Sequence, residues 1–175
     1  MSDLPEGLDP ADHVELHRRS FEPWARRIFL AILLACVIAA LAGAVGQRAS
    51  SSTATGPVAR LDVRAPKVVR GGLLFQARIR VEALQKIDMP RLVLSNGWLD
   101  GMQVNTVAPG PDAEFNRDGR LVWEYDQSLA AGRDLTVYIQ FQVNPTSVGE
   151  STNDVAVYDG QKPLVKVTRT LRRLP

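Results

Sequence analysis

Hydrophobic positions along the chain follow two patterns. From Ile28 to Gly46 the sequence IFLAILLACVIAALAGAVG carries no charge and no polar face. At about 1.5 Å per residue this run spans roughly 28 Å, close to the hydrocarbon thickness of a bilayer. Backbone in lipid must satisfy its own hydrogen bonds, so the run predicts a membrane-spanning α-helix. After residue 56 the period changes to two. Leu61, Val63 and Ala65 alternate with Arg60, Asp62 and Arg64. Leu73, Phe75, Ala77, Ile79, Val81 and Ala83 form one face of a strand whose other face carries Gln76, Arg78, Arg80 and Glu82. Leu135, Val137, Ile139, Phe141 and Val143 repeat the pattern against Thr136, Tyr138, Gln140 and Gln142. Each is a strand with one buried and one wet face.

Shorter runs at Pro90–Leu94, Met102–Val107, Arg120–Tyr125, Val155–Tyr158 and Leu164–Leu171 complete the series. Asn96-Gly97, Pro109-Gly110-Pro111, Gly132 and Asp159-Gly160 punctuate them as turns, and residues 108–119 read as a loop. About seven or eight strands with regular turn signals, and no helical period after residue 46, predict an all-β fold, a β-sandwich. Trp123 shares a face with Leu121 and Tyr125 and is its expected central aromatic. The predicted organisation is a disordered tail over 1–27, a transmembrane helix over 28–46, a flexible Ser/Thr/Ala linker over 47–56 and the sandwich over 57–175.

Charge gives the helix a direction. Arg18, Arg19, Arg26 and Arg27 lie within ten residues before the apolar run, and only Arg48 within ten after it. Positive residues stay cytoplasmic, which places the N-terminus inside and the sandwich outside the cell membrane. Trp24, Arg26 and Arg27 are the expected membrane-interface residues. The rival reading is a cleaved signal: Ala40-Leu41-Ala42 and Ala42-Gly43-Ala44 have the small-x-small cleavage shape, and Arg26-Arg27-Ile28-Phe29-Leu30 resembles a twin-arginine export signal. Cleavage of residues 26–44 would leave a secreted soluble module. The length of the run and of the segment before it favour a retained anchor. Ala35, Ala39 and Gly43, at four-residue steps, suit close helix packing, either self-association or docking on another membrane protein.

Composition narrows the chemistry. Of 175 residues, 21 are Lys or Arg and 19 Asp or Glu, for a net charge of +2. That density is not the footprint of a nucleic-acid reader. Lys162, Lys166, Arg169, Arg172 and Arg173 cluster near the C-terminus, either as a solvated edge strand or as a contact for anionic lipid or cell-wall polymer. The single cysteine, Cys36, lies in the apolar run, and both histidines, His13 and His17, precede it. The predicted outer domain therefore lacks the groups for Ser-His-Asp or Cys-His catalysis and for imidazole or thiolate metal sites. A small sandwich also rarely offers the cleft that paired carboxylates need. The reading is a non-enzyme without cofactors. Asp112, Glu114, Asn116 and Asp118 before Gly119 resemble a calcium loop, but Tyr125 occupies the position where such a loop requires Glu; the alternative is a polar hairpin loop. Trp98, Leu99 and Met102, beside turn glycines, are the candidate partner-binding patch, with Trp98 as a cap on the core as the alternative.

Gly119-Arg-Leu-Val-Trp123, Leu129-Ala-Ala-Gly132, the Leu135–Val143 strand and Val148-Gly149-Glu-Ser-Thr152-Asn153-Asp-Val-Ala156-Val157 follow a recurrent order. It is similar to the DUF11-like bacterial surface repeats, over roughly residues 60–160. The resemblance implies an immunoglobulin-like sandwich and an extracellular structural or adhesive module, with no catalytic residues to carry over. The expected function is a membrane-anchored, extracytoplasmic binding or structural module of the bacterial cell envelope that contacts a protein partner near the bilayer. Adhesion or cell-wall polymer binding is the alternative.

Overall fold

A computed structural model of the chain describes residues 22–41 and 47–175. The helix α1 covers Glu22–Leu41. It begins ahead of the apolar run because Pro23 is tolerated in a first turn, where its missing N–H has no partner to lose. Residues 42–46, expected as the end of the helix, lie outside the described residues. Pro23–Leu41 is long and apolar enough to cross a membrane, and none of it is buried. The helix and the β domain are separate units, divided between Val45 and Gly46.

The β domain has eleven strands: β1 Ala49–Thr55, β2 Ala59–Pro66, β3 Val68–Arg70, β4 Leu74–Ala83, β5 Pro90–Leu94, β6 Met102–Ala108, β7 Ala113–Arg117, β8 Arg120–Glu124, β9 Asp134–Val143, β10 Gly149–Asp159 and β11 Lys162–Leu174. They form a five-stranded sheet, β1-β2-β4-β9-β6, and a six-stranded sheet, β3-β11-β10-β5-β8-β7. Pairing is antiparallel except for β3 beside β11. The chain changes sheets at Lys67, the single residue between β2 and β3. The architecture is an immunoglobulin-like β-sandwich, as the strand pattern and turn spacing predict.

Three strands depart from the sequence reading. Ala49–Thr55, expected within a flexible linker, is an edge strand in continuous register with Pro66–Arg60 of β2. Its inward residues Ser50, Ser52 and Ala54 are small and only half-buried, so they produce no hydrophobic alternation. β7 lies inside the expected 108–119 loop and all five of its residues are exposed. β3 has only three residues.

Apolar residues of both inner faces form one core. Leu61, Val63, Ile79, Val81, Ile139 and Phe141 from the first sheet meet Leu92, Leu94, Trp123, Val155 and Val157 from the second. Trp123 is fully buried, as expected. Its indole N–H donates to Glu114 Oε2 at 2.9 Å, which satisfies the one polar atom the ring carries inward.

Candidate functional site

Trp98 is not a surface residue. It sits in a short 3-10 turn, Asn96–Trp98, and is 1% exposed. Its ring stacks on Phe141, which stacks in turn on Phe75. Its indole N–H donates to the carbonyl of Asp154 at 3.1 Å. The turn approaches β10 so closely that a Cβ on Gly97 would overlap the Thr152 carbonyl oxygen. Met102 is also buried, at 4%, and Leu99 packs partly against the core. The expected patch of Trp98, Leu99 and Met102 is therefore one end of the core, because the turn glycines fold the aromatic inward.

The C-terminal basic cluster is divided in the same way. In β11, Arg169 and Arg173 share the inner face with Val167 and Leu171, whereas Lys166 and Arg172 point outward. Arg169 crosses the sandwich and donates to the carbonyls of Ser50, Val63 and Ala65. No carboxylate forms an ion pair with it among the described residues; burial lowers its pKa and the charge of Asp62 acts in the opposite direction. A guanidinium remains protonated even so, and its planar fork can serve several carbonyls at once. Arg173 donates to the Asp100 carbonyl and pairs with Asp100 Oδ2 at 3.1 Å. Arg169 ties the two sheets together and Arg173 fastens the loop before β6 to β11, so neither is available to polymer or lipid.

The acidic stretch before Gly119 is strand rather than a ligand loop. Alternation along β7 sends Glu114 toward Trp123, while Phe115 lies on the other face opposite Val122. Asp112 Oδ2 accepts the backbone N–H of Asp126. Asp118 and Gly119, with φ of 52° and 69°, form the two-residue hairpin turn between β7 and β8. The carboxylates diverge, and no group of three His, Cys, Asp or Glu able to hold a metal occurs among the described residues.

That hairpin creates the most distinctive surface of the domain. On the outer face of the second sheet, Val93 of β5, Val122 of β8, Phe115 and Arg117 of β7 and Tyr158 of β10 line a groove of about 280 Å³. Phe115 is 37% exposed, while Val122 lies buried beneath it. Arg91 is held by Glu124 and by the Gly160 carbonyl. Arg117 and Arg120 make no ion pair among the described residues, and Asp118 is the one acid lining the groove. The outer face of the first sheet is different in kind. There Arg60–Glu82, Arg78–Asp62 and Arg80–Asp134 pair its charges at 3.2 to 3.4 Å, an exposed network of small energetic weight. At one end of the domain Tyr125 donates to the Pro109 carbonyl at 3.4 Å, and burial, with the charge of Asp112 second, pushes its hydroxyl up to about 12.

In α1, Trp24, Arg26 and Arg27 lie in the first two turns, and Ala35 and Ala39 lie one turn apart on the same face, exposed. Gly43 lies outside the described residues.

No protein-family model matches the sequence, and no curated protein does. Among solved structures, the chain is similar to the CARDB domain of a Pyrococcus furiosus protein in complex with di-metal ions, at 17% identity and TM-score 0.42, over 70% of this chain and 95% of that one. It is similar to a non-cellulosomal cohesin from Archaeoglobus fulgidus at 18% identity and TM-score 0.40, over 62% of this chain and 86% of that one. A Listeria innocua beta-glucosidase matches at 14% identity and TM-score 0.33, over 73% of this chain but 16% of the enzyme. No residue role follows from likenesses this distant.

Proposed function

We propose that the chain is a single-pass membrane protein of the bacterial envelope, with its N-terminus cytoplasmic and its sandwich outside, acting as a binding module for a neighbouring protein. One observation carries this reading: α1 exposes apolar side chains on every face, while the β domain attached to it closes its own core without the helix. A helix with no polar face has bilayer as its natural surroundings. The arginines before it and Trp24 support the orientation. Ala35 and Ala39 offer the surface on which a second membrane helix would pack.

The binding face is the groove around Phe115. It couples an exposed aromatic ring to two guanidinium groups without an ion pair among the described residues, a combination enriched in protein interfaces, and its charge favours a carboxylate-bearing segment. β7 also leaves one backbone edge open beside it.

Topology is tested by reporter fusions. An exterior-active reporter after Pro175 is expected to be active, and the same reporter before Met1 inactive; the reverse pattern rejects the reading. The membrane-bound chain should run at full length, about 19.2 kDa. A soluble fragment beginning near Gly43 or Val45 would show a cleaved signal instead. For the partner, a photo-crosslinking residue at Phe115 in native membranes should give one discrete adduct that Arg117→Glu abolishes.

A further inference from the structure

We infer that the end of the sandwich where the chain enters is a docking surface for an anionic lipid bilayer. The inference rests on α1 being a membrane span. β1 begins with Ala49 opposite Pro66, and β11 ends with Leu174 beside Arg70 of β3. The turn after β3 closes the same end: Gly71 donates to the carbonyl of Leu174, and Gly72 to that of Val143. A Cβ on Gly71 would stand 2.5 Å from the Pro145 carbonyl oxygen, so turn 70–73 and loop 144–148 are packed backbone to backbone. The opposite end is formed by Leu84, Met89 and the Gly160 turn, with Gly160 donating to Met89.

Three apolar side chains stand in solvent at the entry end: Leu73 at 48%, Leu74 at 48% and Val148 at 60% exposed. None belongs to the core: Leu74 lies on the outer face of β4 with Gln76, Leu73 just before that strand and Val148 just before β10. Lys67, Arg70 and Arg172 are exposed there too and make no ion pair among the described residues. Of the acids at this end, Asp100 is held by Arg173, and Glu150 is the cross-strand neighbour of Arg172. At the far end, Lys86 pairs with Asp88, and Asp159 accepts the backbone N–H groups of Asp88 and Met89.

Aliphatic side chains beside cations are what an anionic interface accepts. The former enter the acyl boundary, and the latter meet phosphates while their stems cover apolar surface. Chain length fixes the occupant. Leu41 and Gln47 are separated by six peptide steps, at most roughly 22 Å when extended. A tether that short limits how far this end can stand from the bilayer when α1 spans.

The test uses the full chain in nanodiscs of phosphatidylcholine, alone or mixed with phosphatidylglycerol, read by amide hydrogen exchange. Amides of 68–74 and 144–149 should exchange more slowly in the anionic discs, while those of 159–161 should not change. Lys67→Gln and Arg70→Gln should each reduce the protection by roughly fivefold, and Leu73→Ser should reduce it as well, with unchanged melting temperatures showing that the variants fold. Equal exchange in both discs, or protection insensitive to Lys67 and Arg70, overturns the inference. Protection that appears only with a second protein present assigns this end to that protein and also overturns it. Alkaline carbonate extraction separates the two readings: a chain that leaves the bilayer refutes the span, whereas an embedded chain with an unprotected end refutes the docking surface alone.

Discussion

Trp98 and Phe141 stack with ring centroids 5.2 Å apart and planes inclined by 20°. This contact joins the 3-10 turn after β5 to β9, an inner strand of the first sheet. Both rings are almost fully buried, and truncating a buried aromatic costs roughly 3–5 kcal/mol. Trp98→Ala should therefore destabilise the domain about as much as Trp123→Ala. Each loss is a large share of the ~5–15 kcal/mol that holds a typical domain together. Thermal melts of residues 47–175 would check this. A Trp98→Ala variant that melts like the native domain would show that the ring does not anchor the core.

Arg169 gives a second prediction. Its guanidinium satisfies carbonyls of β1 and β2 from the opposite sheet. Arg169→Met keeps the bulk and removes a buried charge, but leaves carbonyls unpaired, at about 1–3 kcal/mol each where water cannot reach them. The edge carbonyl of Ser50 can recover solvent by releasing the strand, so the damage should fall on β1. Amides of Ala49–Thr55 should lose exchange protection in the variant, while those of β4 and β9 change little. Uniform loss across the domain would contradict this local role.

The same strand sets where the domain begins. A chain starting at Pro57 lacks β1, which opens the edge of β2 and deprives Arg169 of its Ser50 partners. Open edges promote association. This shorter chain should melt lower and aggregate more readily than one starting at Gln47, measured by thermal scans with light scattering. Equal behaviour would mean that β1 adds nothing.

What the sequence reveals follows from where burial is two-sided. β4 and β9 are central strands with a dry and a wet face, and their alternation names nearly every inward residue correctly. β1 carries no such signal because an edge strand needs only Ser50, Ser52 and Ala54 inward. β7 buries nothing, so its single large apolar residue, Phe115, gives no period. The inward position of Arg169 and Arg173 was legible, since both share parity with Val167 and Leu171, but charge outweighs parity in a simple reading. The burial of Trp98 matches the core-cap alternative, but the sequence does not decide between that and a surface patch, because a 3-10 turn has no two-residue period and the ring's stacking partner, Phe141, is distant in sequence. The groove was equally hidden: Val93, Phe115, Val122 and Tyr158 meet only through the pairing of β5, β7, β8 and β10.

Tyr125 gives the domain an alkaline limit. Its hydroxyl is partly buried at the end of the core, with Asp112 adding a nearby negative charge, and its pKa is pushed up to about 12. An unfolded tyrosine ionises near 10. The folded state thus keeps its proton through a range in which the unfolded state releases one. The stabilisation is fully present below pH 10 and is lost as pH rises through about 12. A shift of this size corresponds to something on the order of 2 kcal/mol. Ultraviolet titration of phenolate absorbance should show a late step near pH 12 that Tyr125→Phe removes. The variant should also lose less stability than the native domain between pH 10 and 12, by denaturant titration. If Tyr125→Phe leaves both the late step and the alkaline slope unchanged, the hydroxyl is not the group that sets the limit.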